Sequence, residues 1–390
     1  MIAIRYNMIH LTATRLAGLI IILFLPGLLF AQKVDRAAAS PKQVLNIIHQ
    51  VNRYWQASHP EHGRAFWDNA VYHTGNMEAY HLTRDKQYLK YSTDWAIHNQ
   101  WKGAKSDVKA EWRYTYGETD PYVLFGDWQI CFQTYADLYI IQKDTLKIAR
   151  AKEVMEYQMS TDKHNYWWWV DALYMVMPVM TKMYKITHNQ LYLQKLHEYV
   201  TYADSIMYDE QAGLYYRDTN YLYPKHKTAS GKKDFWARGD GWALAAYAKV
   251  LKDLPKNDKY RAGYIEKYKR LAKAIAECQQ PEGYWSRSLL DPGYAPGPET
   301  SGTALYTYGL LWGLNNGILD KATYGPVVER SWKYLSTVAL QPDGKVGYIQ
   351  PIGARAIPGQ VVDANSSYNF GVGAFLLAAC EEVRFLKLKK

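Results

Sequence analysis

The chain has 390 residues, 48% of them hydrophobic and 22% charged, which supports a large buried core and excludes a disordered, collagenous or disulfide-stapled miniprotein. A formal charge of +10, with 14 Trp, 35 Tyr and 9 Phe, asks for an anionic partner that also stacks on flat rings: nucleic acid or acidic carbohydrate. Cys131, Cys278 and Cys380 lie far apart in apolar helical stretches and read as buried small hydrophobes, neither a disulfide framework nor a zinc pattern.

Arg5 and Arg15 precede the uncharged run Leu16 to Ala31, which contains Pro26. A membrane span needs about 20 apolar residues, so this shorter run reads as a secretory signal over residues 1–31, cleaved after Ala31. No Cys follows it, which argues against a lipoprotein anchor. The expectation is a single catalytic domain over 32–390, periplasmic or secreted, with no stable membrane partner after cleavage and no nucleic acid to bind.

From residue 41 onward the 3.6-residue periodicity predicts helices near 41–57, 74–83, 86–101, 128–142, 144–160, 170–187, 189–208, 240–253, 258–279, 300–317, 320–338 and 367–388. Polar turns such as Thr83-Arg84-Asp85, Thr187-His188-Asn189 and Asn315-Asn316-Gly317 join them as antiparallel hairpins. A weak repeat recurs three times: an acid, then Gly, then a short aromatic extended stretch (Glu210 to Tyr216, Glu282 to Trp285, Asp343 to Tyr348), each leading to a helix rich in small residues. Small residues allow close helix approach, so these helices form a crowded inner ring and Lys- and Glu-rich partners such as 258–279 an outer one. The fold class is all-α, an (α/α)6 barrel of six helical hairpins.

In such a toroid the segments leading into the inner helices converge at one mouth, where ligands bind. Asp127 and Asp171 each open an apolar helix, a position Asp also takes as a simple N-cap. Asp171 follows Trp167, Trp168 and Trp169; indole rings that strip water from a carboxyl favour its protonated, proton-donating form, while the helix N-terminus favours the anion, so the sequence leaves the net direction open. Paired carboxylates across a sugar cleft are equipment for cleaving glycosidic bonds. In Phe235 to Trp242, Arg238 stands between Trp236 and Trp242 and offers a planar fork for a carboxylate, or a structural pairing with Asp240 or Asp218. Tyr72 and His73 lie in a segment read as a mouth loop. No metal-ligand cluster and no glycine-rich phosphate loop is present, so no metal and no other cofactor is expected.

The blocks WWWVDALYM (Trp167 to Met175), FWARGDGW (Phe235 to Trp242), LLDPGYAPGPETSG (Leu289 to Gly302) and TYGLLWGLNNGILD (Thr307 to Asp320), in this order, resemble the unsaturated uronyl hydrolases: glycoside hydrolase family 105, the unsaturated rhamnogalacturonyl hydrolases, and more distantly family 88. The resemblance runs from about residue 41 to 388. It implies an (α/α)6 barrel that removes a terminal 4,5-unsaturated uronic acid from lyase-generated acidic oligosaccharides by hydrating the vinyl ether. The Asp matching Asp171 protonates carbon 4 and helps activate the water, the one matching Asp127 assists, and those matching Arg238 and Trp242 hold the sugar. Tyr72, Trp169 and Trp236 are further substrate-contact candidates, with His73. Two departures stand out: Asp240 where Asn is common, suggesting a salt bridge to Arg238, and Arg217-Asp218-Thr219 where some members carry a sugar-contacting His. The competing readings are an inverting glycosidase on saturated sugars, dividing acid and base roles between Asp127 and Asp171, and a non-enzymatic carbohydrate-binding helical protein.

Overall fold

The computed structural model describes residues 39–388; the predicted signal segment lies outside the described residues. Thirteen α-helices carry the fold: α1 (Pro41–Ser58), α2 (Trp67–Thr83), α3 (Lys86–His98), α4 (Gly126–Gln129), α5 (Cys131–Ile141), α6 (Leu146–Ser160), α7 (Asp171–Thr187), α8 (Leu191–Met207), α9 (Ala237–Asp253), α10 (Arg261–Glu277), α11 (Thr300–Asn315), α12 (Lys321–Tyr334) and α13 (Asn369–Leu388). Every predicted helix is present, the 128–142 stretch being divided into α4 and α5 at Ile130. The only named strands among the described residues, β1 (Tyr208–Asp209) and β2 (Leu214–Tyr215), pair as a short hairpin.

Helices α2, α5, α7, α9, α11 and α13 each pack on the next, and α13 returns to α2, which closes the ring. Outside it, α3, α6, α8, α10 and α12 each cover the inner helix that precedes them, while α1 covers α13. The sixth hairpin is thus built from the two ends of the described chain, since the last inner helix has no outer helix after it. The inner helices are buried over most of their circumference. In α11 every residue from Thr300 to Gly313 is buried, as an enclosed helix requires.

Ring closure depends on two glycines. A Cβ on Gly75 would stand 2.2 Å from the Gly373 carbonyl oxygen, and one on Gly373 would stand 2.4 Å from that of Val71. Backbone faces backbone here, so no side chain can rotate away. Gly373→Ala is expected to destabilise the protein by about 1–3 kcal/mol through overpacking, read as a lowered thermal midpoint by circular dichroism. An unchanged midpoint would show that α2 and α13 separate freely.

The turns explain the repeat in the sequence. Gly213, Gly283 and Gly344, one in each acid-Gly unit, take φ of 70°, 97° and 101°, left-handed conformations that favour glycine. They reverse the chain after an outer helix, and the strand-like residues that follow lead into the next inner helix.

All inner helices run the same way, so their N-terminal ends share one mouth. The opposite end is filled by charge: Glu78 with Lys252 at 3.1 Å and with Arg384, Arg384 with Glu381 at 2.6 Å, Lys185 with Asp253 at 2.8 Å, and Lys182 with Asp137. These cations sit near the C-terminal ends of α7, α9 and α13, where they oppose the helix dipoles.

One boundary matters for function. Helix α2 begins at Trp67, well before the predicted 74, with Phe66 at its N-cap and no side-chain cap. Tyr72 and His73 are therefore inside a helix, not on a mouth loop.

Candidate active site

The starts of the inner helices bring Trp67 and Asp68, Asp127, Asp171, Arg238 and Phe370 to the mouth. Asp127 is the second residue of α4 and Asp171 the first of α7; their N-cap residues are Phe125 and Val170. Neither carboxylate is spent on capping. Asp127 is 6% exposed, and its Oδ1 has no partner. Burial drives its pKa well above the usual carboxylate range, Asp171 pushes it further, and Arg217 pulls it back. Burial also raises the pKa of Asp171, but Arg217 and Arg238 oppose that shift.

Arg217 is the group that the sequence reading passed over. The chain after β2 zips onto the segment before α7: Val170 N donates to Arg217 O at 2.9 Å and Trp169 bridges Asp218. This puts Arg217 Nε 3.6 Å from Asp171 Oδ2, while its Nη1 donates to Asp218 Oδ2 at 2.5 Å. Its guanidinium lies 5.9 Å from the Trp168 ring centre. The environment of Asp171 is thus set by an arginine as well as by indoles. The Trp167 ring packs on Tyr199 of α8 and that of Trp169 stacks on Phe125 at 4.7 Å, so both form the wall. Trp168 is the indole left partly exposed.

Arg238 is fully buried between Trp236, at 4.5 Å, and Phe370, at 4.8 Å. Its Nη1 donates to Gln350 O at 2.7 Å and its Nη2 to Pro351 O at 2.9 Å. The expected salt bridge to Asp240 does not form. Two residues along a helix are about 200° apart, so side chains at i and i+2 do not face one another. Asp240 Oδ1 instead accepts from Tyr215 N at 2.8 Å, and burial drives its pKa well up. Asp218 is taken by Arg217. Trp236 Nε1 donates to Gln350 Oε1 at 2.9 Å, so Trp236 and Arg238 together hold the 350–353 segment over the mouth. Arg238→Leu is expected to orphan those carbonyls and lower stability by about 2–3 kcal/mol. The Michaelis constant should rise less than a lost direct ion pair would demand. Melting curves and kinetics on the same preparation test this; a normal midpoint with a sharply raised KM would restore direct contact as its main role.

Tyr72 and His73 line a cleft with His59, His62, Asn69 and Asn369, beside the starts of α2 and α13. Tyr72 Oη donates to Asn52 Oδ1 at 2.8 Å, and the His73 ring stacks on Trp95 at 4.0 Å with Nδ1 3.0 Å from Ser92 Oγ. Both face the outer helices α1 and α3, where burial keeps His73 neutral. Mouth positions on α2 belong to Trp67, whose ring lies 5.0 Å from that of Phe370 and 6.5 Å from that of Trp242. Trp242 is fully buried, with its ring 4.8 Å from Tyr174 and its Nε1 unpartnered.

Buried polar atoms near this mouth therefore lack a hydrogen-bond partner, among them Asp68 Oδ1, Asp127 Oδ1, Asp171 Oδ2, Arg217 Nε, Arg238 Nε and Trp242 Nε1. Buried groups without partners are rare and costly unless a ligand satisfies them. Two carboxylates with displaced pKa values, two guanidinium groups and indoles at the mouth of a helical ring have the make-up of a catalytic site for a polar, anionic ligand. The model of Glycosyl Hydrolase Family 88 matches residues 40–386. The chain belongs to that family.

An unsaturated 3S-rhamnoglycuronyl hydrolase from Formosa agariphila is 33% identical over 342 residues, covering 85% of this chain and 88% of that protein. Among solved structures, one described as a polysaccharide lyase is 73% identical with a TM-score of 0.88, covering 89% of this chain and 98% of its own. A glycosyl hydrolase family 88 protein from Bacteroides vulgatus is 69% identical with a TM-score of 0.87, covering 89% and 99%.

Proposed function

We propose that the protein is an exported hydrolase that removes a 4,5-unsaturated uronic acid from the end of acidic oligosaccharides. The observation that carries this reading is the Asp127–Asp171 pair, with both carboxyls pushed towards the protonated form and an oxygen of each left without a partner. Asp171 delivers its proton to carbon 4 of the vinyl ether, and the resulting carboxylate helps draw a proton from the water that adds at carbon 5. The hemiketal so formed opens and the aglycone leaves as an alcohol. Asp127 holds the water and the charge on Asp171. The family match and the rhamnoglycuronyl hydrolase relative support this chemistry, and the apolar run before Ala31 supports export.

A second reading is favoured by the 73% identical chain described as a polysaccharide lyase. A lyase removes the proton on carbon 5 of a saturated uronate, expels the group on carbon 4 and leaves the same 4,5 double bond. Its product has the structure of the hydrolase's substrate. Proton delivery suits two carboxyls of raised pKa better than proton removal does, since a base must be free of its proton.

Ultraviolet absorbance of the unsaturated uronate separates the two by sign. The protein is mixed in turn with lyase-generated oligosaccharides and with intact uronic-acid polysaccharides. Loss of absorbance with the former supports hydration, and gain with the latter establishes elimination. No change with any substrate in panels from rhamnogalacturonan, ulvan and arabinogalactan would sink both.

A further inference from the structure

Arg217 works against the task of Asp171: burial favours the protonated carboxyl, but a guanidinium nitrogen 3.6 Å away favours the anion. The charged groups acting on it come from three directions: Asp127 on α4, Arg217 and Asp218 on the segment after β2, and Arg238 on α9. Of the two cations, Arg238 is occupied through both terminal nitrogens by backbone carbonyls. Arg217 is hydrogen-bonded through Nη1 alone, to Asp218. Its Nε is buried and unpartnered, as is the Oδ2 of Asp171 that it faces. The two attract across a gap too long for a hydrogen bond, so the Nε side of the guanidinium has a bond still to make. A carboxylate received side-on would make it.

We propose that Arg217 is the anchor for the carboxylate on carbon 5 of the substrate, and that by exchanging Asp171 for this carboxylate it leaves Asp171 in its proton-donating form only when an acidic sugar is bound. This rests on the function proposed above and deepens it. In the free enzyme Arg217 opposes the protonation of Asp171 that burial favours; in the complex the substrate's negative charge takes the place of Asp171 on the guanidinium, and the ionised fraction of Asp171 takes a proton from solvent. No proton leaves the arginine. Asp218 holds Nη1 throughout, keeping the Nε side of the fork turned to the gap beside Asp171 that the substrate carboxylate enters. A neutral sugar neither fills the fork nor releases the acid, so charge selection and acid activation come from one side chain.

The test crosses enzyme variants with substrate charge. Unsaturated oligosaccharides carrying the free acid and their methyl esters are compared on wild type, Arg217→Gln and Arg217→Lys, with melting curves for each. In wild type, esterification is expected to cost about 10- to 100-fold in kcat/KM, the value of a charge-assisted fork. In Arg217→Gln the two substrates should converge, because the acid has lost its partner and the ester has nothing to lose. Arg217→Lys keeps the charge without the fork and should retain part of the discrimination.

The pH profiles supply a readout that a purely structural role would not move. In wild type the basic limb of kcat should lie at higher pH than that of kcat/KM, since substrate relieves Asp171 of its cation. In Arg217→Gln the limb of kcat/KM should move up towards that of kcat. Undiminished ester discrimination in a folded Arg217→Gln, or no discrimination in wild type, overturns the anchor. Coincident limbs in wild type overturn the release of Asp171. Loss of the underlying functional reading looks different: wild type then leaves both acid and ester unsaturated oligosaccharides unchanged.

Discussion

Asp171→Asn is expected to fold as the wild type does and to lose about 100- to 10,000-fold of its turnover, the range that a positioned general acid contributes. The amide is nearly the shape of the carboxyl, and Val170, not Asp171, is the N-cap of α7, so helix capping is undisturbed. What disappears is the transferable proton. The variant also leaves Arg217 facing a neutral group at the 3.6 Å gap, while Asp218 still neutralises it, and so the melting point should change little. Turnover is read from the decay of the unsaturated chromophore. Rates near those of wild type would remove Asp171 from the proton transfer, and a collapse in melting point would assign it to structure. In the wild type the rate should also fall with rising pH once Asp171 is ionised in the complex, and this limb should be missing from the residual activity of the variant.

How far this site was legible in the sequence depends on the range of the forces that build it. The helices are local objects, and amphipathic periodicity located all of those predicted. Residues such as Gly75 and Gly373 betray the inner ring because close approach needs them small. The start of α2 was hidden: Phe66 caps it without a polar side chain, so Trp67 to His73 reads as loop although Tyr72 and His73 lie within the helix. The Arg238–Asp240 pairing failed for a related reason. Once α9 starts at Ala237, helical geometry alone turns the two side chains to opposite sides. Arg217 could not have been found locally. It stands beside Asp171 because a loop carbonyl pairs with Val170 N from the neighbouring segment before α7, and nothing in the nearby sequence announces a pairing between residues so far apart in the chain. Its one signal was a departure, Arg217-Asp218-Thr219 where some members of the resembling family carry a sugar-contacting His, and Arg217 stands 3.6 Å from Asp171.

Asp127→Asn is expected to move activity and stability in opposite directions. Its carboxyl is 6% exposed with one oxygen unpartnered. Burial and the charge of Asp171 raise its pKa well above the ordinary 3.8, with only Arg217 among the leading influences opposing them. A carboxyl whose pKa is higher folded than unfolded binds more protons in the folded state, so its contribution to stability is intact at low pH and is lost as pH rises towards the folded value. Asparagine does not titrate. The variant should therefore melt with wild type below about pH 4 and above it increasingly as pH rises, by on the order of 1–2 kcal/mol at neutrality. Turnover should meanwhile fall about 100-fold or more, because the amide cannot adjust its charge as Asp171 gains and loses its proton. Melting curves at several pH values, with kinetics at each, check both halves. A stability difference independent of pH would show that Asp127 is buried at no electrostatic cost, and unchanged turnover would leave it a packing residue beside the true acid.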